Sequence, residues 1–264
     1  MDGSILFQQG KLREAVDAQI GVVKASPAAE GTRLFLFELP SFAGEFTRAR
    51  RQIDALSSND PEIETAYMTY RRLLEAEEFR RRVFEEGLEP QFFSPPPDHV
   101  RQRLEAARAL HAGNPADARK LTEAANASLP ALAGHWNGMA TADLRDGDDL
   151  LAGILEVMAN GKYYWMPLAD VVDLELAPPR FPRDLIWAPA ELETAETEGQ
   201  VFLPIIYYGT WKNGDDECRL GRKTEWTESP AAPTLGVGAH TFLLDETDAG
   251  LRELKNWKRA DGGG

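Results

Sequence analysis

The chain has 264 residues, 43% of them apolar and 27% charged, which describes an ordinary globular protein long enough for one large domain or two modest ones. Its formal charge of −14 opposes binding to nucleic acid or anionic membrane through bulk electrostatics, and no apolar run approaches the length of a membrane span. Cys218 is the only cysteine and the first residues show no basic-then-apolar leader, so a reducing, cytoplasmic location is expected.

Residues 4–26 predict a short helix, a turn at Gly10, and a second helix whose Leu12, Val16, Ile20 and Val23 recur at helical spacing. A second unit starts at Thr32. Its first helix carries Leu34, Phe35, Leu36, Phe37, Leu39 and Phe42, apolar on too many sides for a surface helix, and Pro40 should kink or end it. The next stretch, GEFTRARRQIDALSSNDP (44–61), repeats the frame of GKLREAVDAQIGVVKASP (10–27) and returns in GNPADARKLTEAANASLP (113–130). In each copy Gly and Pro stand 17 residues apart, and an Ala follows the Gly by five: Ala15, Ala49, Ala118. The first two copies start 34 residues apart and the third 69 further on, close to two more periods. A period of 34 marks helix–turn–helix solenoids of the tetratricopeptide kind. Gly suits the turn between antiparallel helices, Ala lets the helices approach, and Pro stops the second one.

Pro61 opens a long helix running to about Phe84, with Ile63, Ala66, Tyr67, Tyr70, Leu73 and Leu74 at i, i+3, i+4, i+7 spacing. Within it Arg80, Arg81 and Arg82, flanked by Glu77, Glu78, Glu85 and Glu86, predict a solvated face laced with ion pairs. Residues 87–97, with Pro90 and three consecutive prolines, form a rigid loop. Asp98 is expected to cap a helix containing Val100, Leu104, Ala107 and Leu110, which completes the last hairpin with the third Gly–Pro copy. Charge divides the chain near residue 133: residues 1–133 hold 17 basic and 20 acidic side chains, residues 134–264 hold 12 and 23. A helical domain over 1–133 and a second domain over 134–264 are expected.

After a Gly- and acid-rich passage, GILEVMA (153–159), the hairpin dipeptide Asn160-Gly161 and KYYWMP (162–167) predict two paired strands. Further strands are expected at 171–178, 191–196, 201–208 and 240–246, enough for a mostly antiparallel sheet or part-closed barrel, with Leu185 and Trp187 plugging one side. On a strand Tyr163 and Trp165 share one face and Tyr164 takes the other. The tail from Ala249 to Arg259 predicts a short helix with Leu251, Leu254 and Trp257 as its apolar face, after which Asp261 and three glycines fray. The fold class is therefore α+β: a tetratricopeptide-like helical-hairpin solenoid, then a mostly antiparallel α+β domain.

Chemistry is sparse. Asp143, Asp146, Asp148 and Asp149 run D-x-x-D-G-D-D, which does not match the alternate carboxylates of a calcium loop; capping of turns is the simpler role. His99, His111, His135 and His240 have no metal-ligand spacing, and Cys218 lies in a charged segment without a local His. No nucleophile elbow or phosphate loop occurs. No catalytic residue, cofactor or metal is assigned.

The text DLRDGDDLLAGILEVMANGKYYWMP, then LELAPPRFPRDLIWAPAEL and DDECRLGRKTEW, resembles the ImpE/SciE/TagJ family, accessory proteins of bacterial type VI secretion. The resemblance spans nearly the whole chain and is strongest over 141–228. It implies a tetratricopeptide-like N-terminal domain, an unusual α+β C-terminal domain, and a non-enzymatic role. That role is binding the N-terminal helix of the small contractile-sheath subunit, near the unfoldase that recycles sheath. Stacked hairpins offer a groove for such a helix; its candidate residues are Leu34, Phe35, Glu38, Tyr67, Tyr70 and Arg71. Two alternatives are weighed: a metal-assisted hydrolase using Asp143, Asp146, Asp148 and Asp149, and a peptide-binding co-chaperone whose carboxylate clamp would need Arg33 and Arg71.

Overall fold

Three glycines set the geometry of the helical half. In the computed structural model, which describes residues 2–26 and 29–260, Gly10, Gly44 and Gly113 take φ of 78°, 69° and 75°, a conformation that only glycine adopts freely. Gly10 joins α1 (Gly3–Gln8) to α2 (Leu12–Ala25), and Gly44 joins α3 (Glu30–Phe42) to α4 (Phe46–Asp54). The single long helix α5 (Pro61–Glu86) follows, and Gly113 joins α6 (Asp98–His111) to α7 (Pro115–Ala127). Ala15, Ala49 and Ala118 are all fully buried, as close helix contact requires. Pro61 is the first residue of α5, behind an Asp60 side chain that accepts the Glu62 amide. Pro130 follows α7, whereas Pro27 and residues 261–264 lie outside the described residues.

Two helical expectations need correction. Pro40 does not break α3 where it stands: the helix runs two residues past it, so the missing donor falls in the last turn, where Ser41 Oγ donates to the Phe37 carbonyl. Asp98 is the first residue of α6 rather than its cap, a position held by Pro97.

Among the described residues the second half is built from thirteen strands, antiparallel in every pair: β1 (Gly134–Trp136), β2 (Met139–Thr141), β3 (Leu144–Asp146), β4 (Ile154–Ala159), β5 (Lys162–Pro167), β6 (Val171–Leu176), β7 (Trp187–Thr194), β8 (Glu198–Pro204), β9 (Thr224–Trp226), β10 (Gly236–Gly238), β11 (Thr241–Leu244), β12 (Thr247–Gly250) and β13 (Asn256–Arg259), with α8 (Thr210–Asn213) and α9 (Asp216–Arg219) between β8 and β9. Eight strands form one sheet in the order β2-β1-β13-β6-β7-β8-β4-β5; β12-β11-β3 and β10-β9 form smaller ones. The Asn160-Gly161 turn is as expected, with both residues at positive φ. A second such turn, Asn137-Gly138, joins β1 to β2 and was hidden because its strands are only three residues long.

The tail corrects a larger expectation. It forms no helix but a 3₁₀ turn, Leu251–Glu253, and then β13, inserted between β1 and β6. Leu251, Leu254 and Trp257 are all buried, so a spacing of three arose from a turn followed by a strand rather than from a helix face. Trp187 begins β7, which continues through Pro189, and its buried ring stacks on Phe37.

One apolar core runs through both halves. Helix α5 lies on β4 and β5, and the two first hairpins are gripped at their turns by the second half. Asp216 Oδ2 accepts the Leu12 amide (3.1 Å), Arg222 Nη2 donates to the Phe7 and Gln8 carbonyls, and the Trp211 ring fills the space beside Gly44. Residues 90–92 cover the outer edge of β5, where Gln91 exchanges backbone hydrogen bonds with Tyr163 and Trp165.

Candidate functional site

The Arg80–Arg82 run separates on folding. Arg81 and Arg82 pair with Glu85 and Glu86 on the exposed face, but Arg80 continues the buried stripe of Leu73, Leu74, Glu77 and Val83 and is only 3% exposed. Its Nε and Nη2 donate to the two oxygens of Glu156 at 2.7 and 2.8 Å, and Nη2 also to the Ile206 carbonyl. Glu77 completes the ring, taking Arg80 Nη1 at 3.2 Å and the Trp187 indole N–H at 3.1 Å. On the sheet side Tyr163 Oη donates to Glu156 and accepts from Trp165 Nε1 (2.6 Å), the shared face expected of that strand.

The chain of contacts continues to β3. His240 stands between two carboxylates, Nδ1 2.7 Å from Asp146 and Nε2 2.9 Å from Glu156. Asp146 also accepts Tyr207 Oη (2.5 Å) and the Asp148 amide. Burial alone would push His240 down, but Asp146 and then Glu156 outweigh it and raise its pKa to about 9. Burial works against Glu156 ionisation too, and Arg80 overrides it, so that carboxyl falls to about 2. Asp148 has no such partner: burial, reinforced by Asp146, pushes it up to about 7. Desolvating these charges is costly, and only their mutual satisfaction makes the arrangement tenable. The legible signals were the lone Glu156 in an otherwise apolar strand and the position of Arg80 on the core stripe; sequence gave no sign of His240 as their link.

A second buried pair joins the halves. Glu38 on α3 meets Arg183 of the 3₁₀ turn Pro182–Leu185 at 2.6 Å, and the guanidinium lies 4.1 Å over the Tyr70 ring and 3.9 Å over Phe181. Burial, outweighing Arg183, pushes Glu38 up to about 7.

This fixes where the six candidate groove residues stand. Glu38 and Tyr70 are brought together through Arg183, and Tyr67, buried, reaches Glu30 with its hydroxyl (3.3 Å). Phe35 belongs to another side of α3, edge-on to Phe7. Arg71 donates to the Ile53 and Leu56 carbonyls and to Glu64, which leaves it committed to the end of α4. Leu34, Phe35, Tyr70 and Arg71 keep part of their surface exposed.

The acidic run is bound to backbone and side-chain donors. Asp143 accepts the Leu132 amide, Asp148 the Leu150 and Gly236 amides, and Asp149 the Thr234 amide and the Asn126 side chain. Among the described residues no three His, Cys, Asp or Glu converge to hold a metal ion. Cys218 is buried, and burial followed by Asp215 pushes its thiol up to about 11, away from reactivity. On the sheet, Asp173, Glu175, Glu191, Glu193 and Glu198 line an open groove of about 470 Å³. No helix among the described residues is long and apolar enough to cross a membrane.

Comparison with known proteins agrees with this architecture. Residues 138–258 match the family described as ImpE protein. Over 251 residues the chain is 34% identical to the type VI secretion system accessory component TagJ of Pseudomonas aeruginosa, which covers 95% of this chain and 88% of that protein. The crystal structure of protein VPA1032 from Vibrio parahaemolyticus superposes with a TM-score of 0.90 at 23% identity, over 98% of this chain and 97% of that one. At that identity the likeness is one of fold.

Proposed function

We propose, from the premise that this chain belongs to the ImpE family together with TagJ and is an accessory component of type VI secretion, that it works as a non-enzymatic adaptor inside the cytoplasm. Its partner in this reading is the N-terminal helix of the small contractile-sheath subunit, and its place is beside the unfoldase that recycles contracted sheath. The observation that carries the reading is the 34% identity to TagJ over nearly the full chain.

The structure supports it in two ways. The helical half presents α3 and α5 with Leu34 and Tyr70 part-exposed, an aliphatic and an aromatic side chain suited to an amphipathic helix, while the part-exposed Phe35 lies on another side of α3 and Arg71 is held by the end of α4. Glu38 and Tyr67 lie beneath them, where Glu38 fixes Arg183 under that surface. The hydrolase alternative lacks support, because the four aspartates hold backbone amides. The co-chaperone alternative is weakened by Arg71, whose donors face carbonyls of its own chain.

Titration calorimetry with a synthetic peptide of the sheath subunit's N-terminal helix tests the proposal. Binding at micromolar affinity is expected, reduced about tenfold by Leu34→Glu at the part-exposed position. Absence of binding at ~50 µM peptide would overturn the adaptor reading, and full binding by the Leu34→Glu variant would move the site elsewhere.

A further inference from the structure

The buried charge network adjoins a surface cleft through Asp148 and Tyr207. Between α5, α6 and the stretch 207–213 lies a cleft of about 270 Å³, whose only lining carboxylate among the described residues is Asp148. Phe84, Tyr207 and Tyr208 give it aromatic walls, the first and last stacked at 4.4 Å, and Leu110 and Leu151 add aliphatic surface. Asp148 is 5% exposed, and each of its oxygens accepts one backbone amide, from Leu150 and Gly236, at 2.8 Å. A carboxylate oxygen has two lone pairs, so each keeps one free.

The charge around Asp148 is unbalanced. Asp146 faces it from β3 and His240 from the residue before β11. Arg103, buried on α6, also faces it, but its guanidinium is held by the Asp149 carbonyl and Asn126 and shares the Asp149 carboxylate's field. Deeper in the network Glu77 and Glu156 join the two aspartates against Arg80 and His240. At the rim, Lys212 is paired with Glu85, and His111 stands exposed. A small apolar cavity with aromatic walls and surplus buried negative charge is complementary to an organic cation, which gains from both the carboxylate and the ring faces.

We propose that this cleft binds a small aliphatic ammonium ion, its N–H groups donating to Asp148 and its alkyl chain lying against Phe84, Tyr207 and Tyr208. The site shares no residue with the surface proposed above for the sheath helix. Because burial and Asp146 push the Asp148 carboxyl up to about 7, the site charges only as pH rises through neutrality, so affinity should rise with it.

The probe is n-butylammonium chloride, titrated into the full chain while the amides of Leu150 and Gly236, which report on Asp148, are followed by NMR. The expected result is a saturable shift of both, with affinity about tenfold higher at about pH 8 than at about pH 5.5. Isosteric n-butanol should give no saturable shift. Asp148→Asn should weaken binding about tenfold, and should it fail to fold, Tyr208→Leu tests the wall with the carboxyl intact. His111→Gln must leave the pH step in place, since otherwise rim repulsion causes it. No saturable shift, equal binding of butanol, or affinity indifferent to pH would each overturn the proposal.

Discussion

Carboxylates face both ring nitrogens of His240 and raise its pKa, and this has a consequence for stability. Its folded pKa of about 9 lies above the ordinary value of 6.5, so its contribution is fully present below about pH 6.5 and disappears as pH rises through about 9. The size follows from the shift, about 3 kcal/mol for a fully buried group. Urea unfolding at about pH 6 and about pH 9.5 should therefore show wild type losing about 3 kcal/mol more than His240→Asn over that window; parallel profiles for the two proteins would show that the imidazole is neutral. Residue-scale features of this kind were the least legible in the sequence. Arg80, Arg81 and Arg82 are chemically identical neighbours, and their helical phase alone separates a buried ligand of Glu156 from two surface partners. Helical spacing could assign that phase. The partners 76 and 160 residues away from Arg80, Glu156 and then His240, could not be read from local pattern, because burial of charge is decided by tertiary contacts.

Elements fared better where backbone conformation dictates residue type. The three glycines of the repeat were readable because a positive φ excludes most side chains, and all three turns are where the 17-residue frame places them. What the frame could not convey is that the turns differ in surroundings. A Cβ on Gly113 would meet nothing within 4 Å, whereas one on Gly44 would stand 2.4 Å from Trp211 Cγ. Gly113→Ala should cost only the left-handed strain, about 1 kcal/mol. Gly44→Ala adds overpacking against the indole, for a total of roughly 2–4 kcal/mol. Chemical denaturation of the two variants measures the difference, and equal losses would mean that Trp211 moves aside freely. Burial periodicity proved weaker evidence than turn chemistry. Leu251, Leu254 and Trp257 matched a helix face and yet belong to a turn and the strand β13, because three buried residues three apart fit either once the chain bends.

The charge boundary at residue 133 coincides with the change from helix, ending at Ala127, to strand, beginning at Gly134, but burial gives the two halves a common interior. Removing the second half would expose Phe37, Phe46 and Phe84, which pack on Trp187, Trp211 and Tyr208 respectively. It would also take Arg183 from Glu38 and Glu156 from Arg80. An uncompensated buried charge costs several kcal/mol, and each lost aromatic contact adds to that, against a total stability of roughly 5–15 kcal/mol for a typical domain. The fragment 1–133 should thus retain helical far-ultraviolet circular dichroism from its local turns while losing near-ultraviolet signal and cooperative thermal unfolding. A fragment that melted in one sharp transition would show that the helices fold independently and that the shared core is a docking contact. The distinction bears on the proposed adaptor role: if the halves fold as one, Arg183 and Arg80 would couple a partner on α3 or α5 to the sheet without a hinge between them.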